Sequence, residues 1–177
     1  GSNNQPTLDL FSVETDASVT AALPLIGNPV STNGNVTVAG VTLSEGTQVG
    51  TVTEQIGATT VHLASLKVAA TRNNTDVEKI VLYNSGTTAE TDLENFIMRY
   101  NNEDIGTGTM SGKYLTFDLS ACGSGCNVDK GKSRTYEVYG DIADGSTREI
   151  NLDVRRASHV LVKDTKEGFY VAPTNNA

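Results

Sequence analysis

Apolar residues fall at every second position through much of this chain, and that period belongs to half-buried strands. The densest run covers residues 59–88. There Val61, Leu63, Leu66, Val68 and Ala70 alternate with one slip at Ala64-Ser65, which is how a bulge shows in sequence. A polar turn, Arg72-Asn73-Asn74-Thr75, leads into a second run with Val77, Ile80 and Leu82, closed by Asn84-Ser85-Gly86. The pattern predicts a hairpin, and a lone hairpin needs further strands to cover its apolar face.

The same reading extends in both directions. Residues 7–15 set Leu8, Leu10 and Val13 against Asp9, an amphipathic strand standing apart from the rest. Residues 16–35 hold Pro24, Gly27, Pro29 and Gly34 with little periodicity, so they read as a long linker. A hairpin is predicted from residues 35–43 and 47–53 around Ser44-Glu45-Gly46. Residues 93–100 put Phe96, Met98 and Tyr100 on one face, and 101–104 form a polar turn into Ile105-Gly106. Residues 113–119 alternate Leu115, Phe117 and Leu119; residues 134–142 align Tyr136, Val138 and Ile142. Ile150, Leu152 and Val154 point inward from 148–154, and runs at 160–162 and 169–171 finish the chain. About ten short strands with Gly, Asn and Asp turns and no helical period predict an all-β fold. The expected form is an antiparallel β-sandwich, immunoglobulin-like or jelly-roll-like, with a closed barrel as the alternative. An N-terminal extension, 1–34, then precedes one β domain, 35–177.

Charge narrows the partners. Thirteen basic against twenty-one acidic residues give a net charge of −8, the wrong sign for binding a phosphate backbone. No apolar run approaches the ~20 residues of a membrane-spanning helix.

The two cysteines sit in Cys122-Gly-Ser-Gly-Cys126. Small flexible residues between them suit a tight disulfide loop, and a disulfide points to a compartment outside the cytosol. A metal site would need further ligands, and a redox pair would favour Cys-x-x-Cys spacing. His62 and His159 have no partners that a nucleophilic triad would require, and Gly106–Thr109 lacks the lysine and helix of a phosphate loop. Catalysis is therefore not expected. Acidic loops suit calcium, a cation that takes oxygen ligands. The candidates are Asp76 and Glu78, Glu103 and Asp104, Asp141 and Asp144, and Asp164 with Glu167, although no loop has the EF-hand pattern. Asn35-Val-Thr and Asn73-Asn-Thr are glycosylation sequons.

Three segments in order carry a resemblance. They are Asp76-Val-Glu-Lys-Ile-Val-Leu-Tyr-Asn-Ser-Gly-Thr87, then Leu93-Glu-Asn-Phe-Ile-Met-Arg-Tyr-Asn-Asn-Glu-Asp-Ile-Gly106, and Val128-Asp-Lys-Gly-Lys-Ser-Arg-Thr-Tyr-Glu-Val-Tyr-Gly-Asp-Ile142. Together they resemble the immunoglobulin-like β-sandwich modules of prokaryotic secreted surface proteins, of surface-layer or adhesin type. The detached strand on a tether is similar to the donor strands of extracellular fibres and cannula-type tubes. The resemblance implies a secreted or cell-surface structural subunit that polymerises with copies of itself. Leu8, Leu10, Phe11 and Val13 would be the donated groups, inserted by β-augmentation of an open sheet edge. The alternative it implies is an adhesin-type module that holds a surface glycan or protein.

Overall fold

The first residue of strong apolar period, Val61, opens a strand that does not pair with its successor, and this fixes the architecture. The computed structural model describes residues 9–10 and 25–26 by backbone alone, and residues 36–47 and 50–175 in full. The strands are β1 (Asp9–Leu10), β2 (Leu25–Ile26), β3 (Gly40–Glu45), β4 (Val61–Thr71), β5 (Thr75–Asn84), β6 (Leu93–Tyr100) and β7 (Glu103–Ser111). They continue as β8 (Tyr114–Asp118), β9 (Asn127–Val128), β10 (Ser133–Ile142), β11 (Leu152–Asp153), β12 (Val160–Asp164), β13 (Tyr170–Val171) and β14 (Thr174–Asn175). The chain divides into two units, 1–37 and 38–177. In the first, Asp9 pairs with Ile26 and Leu10 with Leu25, antiparallel.

In the second unit, twelve strands among the described residues form one curled sheet, in the order β13-β12-β5-β8-β7-β6-β10-β4-β3-β14, with β9 and β11 also on β5. Pairing is antiparallel everywhere except between β14 and β3. The all-β, antiparallel character is as the sequence predicts.

The predicted hairpin over 59–88 is not formed. β4 lies between β10 and β3, while β5 lies between β8 and β12. Residues 72–74 therefore carry the chain from one half of the sheet to the other, with Arg72 at φ 72°. The physical reason is visible in burial. Leu66, Val68 and Ala70 of β4 and Val77, Ile80 and Leu82 of β5 all lie in one core cluster. Placing the two strands apart in one curled sheet lets both apolar faces enter that core, whereas a flat hairpin would leave them needing cover. The predicted slip is present one residue early: Val138 faces Ala64 and Tyr139 faces His62, leaving Leu63 as the extra residue.

Two other expectations change. β3 pairs with β4 from Gly40–Thr71 to Glu45–Leu66, and residues 47 and 50–53 form no strand. Residues 48–49 lie outside the described residues. Val41 and Leu43 thereby stand beside Ala70 and Val68, a longer buried row than residues 50–53 offer. Conversely, β7 is a nine-residue strand where only a turn and two residues were expected. Its first half pairs with β6 and its second with β8, so it joins the halves of the sheet. Of its inward positions, Met110 is buried in the core, while Gly106 and Gly108 are glycines because a neighbour fills their space. A Cβ on Gly108 would stand 2.7 Å from the Phe117 ring and 2.9 Å from Leu115 Cδ1. An aromatic side chain laid over a strand glycine replaces the missing packing.

Candidate functional site

The two ends of the strand path, β13 and β14, belong to one stretch of chain. Only Ala172 and Pro173 separate them. Segment 170–175 leaves β12 antiparallel to it, with Val171 beside Val162 and Tyr170 beside Lys163. It then crosses to run parallel with β3, Thr174 beside Thr42 and Asn175 beside Leu43. The segment is thus a strap across a seam whose two walls are the outer edges of β3 and β12. Inward positions alternate along it: Val171 is half-buried, Pro173 buried and Asn175 half-buried, while Tyr170, Ala172 and Thr174 are exposed. Pro173 has no N–H to give either wall, which accounts for the break between the two short strands.

One end of the seam is tied by Asp164. This carboxylate, the last residue of β12, is fully buried. Its Oδ2 accepts from the Ala39 amide at 2.7 Å and from Asn73 Nδ2 at 2.9 Å. Its Oδ1 accepts from the Lys166 and Glu167 amides at 2.8 and 3.0 Å. Burial would raise its pKa, but these donors more than offset that and hold it down to about 2. Four donors around one carboxylate stabilise an ion that burial alone would penalise. The sequence marked Asp164 and Glu167 as an acidic pair; the structure separates their roles, Glu167 pairing instead with Lys166 at 2.7 Å. Asn73, the asparagine of the second sequon, spends its amide on Asp164.

The strand donor residues fall at the other unit. Leu8, Phe11 and Val13 lie outside the described residues, and Leu10 is placed by its backbone beside Leu25. Asn35 also lies outside them.

The other six calcium candidates are dispersed among protein donors. Asp76 Oδ1 accepts from Asn127 at 3.0 Å, and Glu78 Oε2 from the Tyr170 hydroxyl at 2.8 Å. Asp104 pairs with Arg99 at 2.5 Å, next to Glu103 on β7. Asp141 accepts from the Thr60 amide at 2.7 Å and from Asn95 at 2.8 Å, and these bonds lower its pKa. Asp144 Oδ1 accepts from the Gly145 amide at 2.7 Å. Among the described residues, no three His, Cys, Asp or Glu side chains gather as a metal-holding group.

Cys122 and Cys126 are joined as a disulfide, Cα atoms 5.9 Å apart. The loop is fastened on both sides, Cys126 O accepting from the Val77 amide at 3.0 Å and Gly125 O from Arg134 at 3.0 Å. Arg134 also lies 4.3 Å over the Tyr100 ring. Beside the loop is an open groove of about 490 Å³ with the hydroxyls of Thr107, Thr109 and Thr116 and the Asp118 carboxylate.

The two histidines, which lack the partners of a nucleophilic triad, are ring partners. His62 stacks on Tyr139 at 4.9 Å, and Arg99 sits 4.7 Å over the same tyrosine. His159 meets Tyr114 edge-on at 5.9 Å; Tyr114 meets Tyr83 at 5.2 Å; Arg155 covers Tyr83 at 3.7 Å. Sequence reasoning missed this second cluster because its members are scattered from residue 83 to 159. Only the pairing of β5 with β8 brings Tyr83 and Tyr114 opposite each other.

No helix among the described residues is long and apolar enough to cross a membrane. Compared with known proteins, the chain matches no family model, no curated protein and no solved structure.

Proposed function

We propose that the protein is an extracellular structural subunit, a sandwich-like β module of prokaryotic surface type, that polymerises by lending its N-terminal strand to a neighbour. The observation that carries this reading is the sheet's incomplete closure. β3 and β12 are each capped by a partner strand only two residues long. Thinly covered edges are the places where another chain adds a strand, and proteins without such a role usually blunt or cover them. The disulfide supports a non-reducing compartment.

In this reading residues 7–15 leave their own unit, exchanging the two-residue β1–β2 pairing for a longer one on the next copy. Leu8, Leu10, Phe11 and Val13 supply the apolar contact, each worth roughly 1.5–3 kcal/mol when fully buried. Because donor and acceptor are different surfaces, the contact is head-to-tail and grows an open filament. No catalytic step belongs to this account. Calcium enters it only as a bridge assembled from loops or from two copies.

A second reading, an adhesin-type module for a surface glycan, is favoured by the hydroxyl-lined groove with Asp118 and by the Tyr83–Tyr114–His159 cluster. Electron microscopy of the purified protein, with and without calcium, separates the two. Ordered polymers are expected from the first, and dispersed monomers that bind immobilised glycans from the second.

A further inference from the structure

We propose that the seam between β3 and β12 is the acceptor for the donated strand of a second copy, and that segment 170–175 is a built-in plug which gives way to it. This rests on the assembly reading above and names its site.

The seam already holds an extended segment, so its width and hydrogen-bonding direction suit a strand. The present occupant suits it poorly. Its pairing covers Val162 and Lys163 on one wall and Thr42 and Leu43 on the other. Its inward side chains are one valine, one proline without an N–H, and Asn175, whose amide turns to Val154 O at 2.8 Å. Next to it, apolar surface stays in solvent: Phe169 is 57% exposed, Tyr170 56% and Leu161 37%. A plug that paired fully would end the sheet; this one leaves it improvable.

The N-terminal segment has what the plug lacks. Residues 7–15 contain no proline and place Leu8 and Leu10 at the two-residue period that the seam's inward positions follow. Nine extended residues reach roughly 30 Å, enough to span the six residues of β3 or the five of β12. A strand with Leu8 and Leu10 turned inward would set Asp9 at an outward position, and Lys163 is an outward position of the β12 wall, between buried Val162 and Asp164. Opposite charges at neighbouring outward positions favour this occupant in a chain whose copies otherwise repel at −8 each. Occupancy by the plug also explains how a subunit of this kind stays soluble before it polymerises: the edge is covered until a longer strand competes for it.

The test fastens or removes the plug in the full-length protein. Thr42→Cys with Thr174→Cys places cysteines at paired positions of β3 and β14. Once mass spectrometry shows the crosslink, the locked protein is expected to stay monomeric by sedimentation where the unaltered protein polymerises. It should regain assembly in reductant, with unaltered protein in the same reductant as the reference. Deleting residues 173–177 is expected to shorten the assembly lag several-fold. A locked protein that polymerises like the unaltered one, or a deletion that slows assembly, overturns the seam as acceptor while leaving strand donation standing. Failure of the unaltered protein to polymerise at all overturns both.

Discussion

Asp164 Oδ2 accepts a hydrogen bond from the Ala39 amide at 2.7 Å, across 125 residues of chain. That bond fastens the end of β12 to the residue just before β3, holding together the two edges that face each other over the seam. Asn73, from the crossing between β4 and β5, donates to the same oxygen. Replacing Asp164 with Ala strands these donors, and buried donors without partners cost about 1–3 kcal/mol each in the worst case. The expected loss for Asp164→Ala is roughly 2–4 kcal/mol, read from urea or thermal unfolding.

The same carboxylate gives a pH dependence of known sign. Its folded pKa, about 2, lies below the ordinary value near 4 of the unfolded chain. The folded state therefore binds the proton less readily, and the stability this contributes is fully present above pH ~4. It is lost as pH falls from ~4 through ~2. Asp92, Asp118 and Asp141, also lowered, add to the trend. Asp164→Asn should flatten the fall in unfolding midpoint between pH 5 and 2 relative to the unaltered protein; an unchanged slope would remove Asp164 from the explanation.

Gly108 is where β7 leaves room for Phe117. Adding a methyl group there forces contact at 2.7 Å with a fully buried ring. Gly108→Ala is expected to destabilise by about 1–3 kcal/mol through overpacking, measured by chemical denaturation. A neutral result would mean that the joint between the sheet halves is looser than the packing indicates.

Tyr136 is fully buried and its hydroxyl has no hydrogen-bond partner among the described residues. Burial pushes its phenol well above the ordinary range. Removing an unsatisfied hydroxyl relieves a desolvation cost of about 1–3 kcal/mol while keeping the ring's packing. Tyr136→Phe should therefore leave the thermal midpoint unchanged or raise it; a clear drop would show that the hydroxyl is satisfied in solution.

The disulfide closes a short loop, sequence separation four. On chain entropy alone such a loop contributes roughly 2 kcal/mol. The paired substitution Cys122→Ser with Cys126→Ser should lower stability by about that amount without unfolding the protein, because Val77 and Arg134 still hold the loop backbone. Reduction of the unaltered protein should give the same shift in a thermal melt.

Strands that bury one face of large side chains were readable from sequence. Phe96 and Met98, Leu115 and Phe117, and Tyr136 and Val138 are all buried as their alternation required. Pairing was not readable, because period 2 states that a strand exists and says nothing about its neighbour. The turn at Arg72-Asn73-Asn74 has hairpin composition, yet the core sets β4 and β5 apart. β7 escaped notice because Gly106 and Gly108 carry no apolar signal; the packing they serve comes from Leu119 and Phe117 on other segments. The seam was invisible for a related reason. Its plug is a valine, a proline and an asparagine, and its anchor is an aspartate that looked like one more acidic loop residue until burial set it apart.

The most direct test of the central claim is sedimentation combined with electron microscopy on the full-length protein and its Leu10→Asp variant, matched by circular dichroism for unchanged strand content. Strand donation predicts ordered polymers from the first and folded monomers from the second. Polymers of equal length and order from both would contradict it.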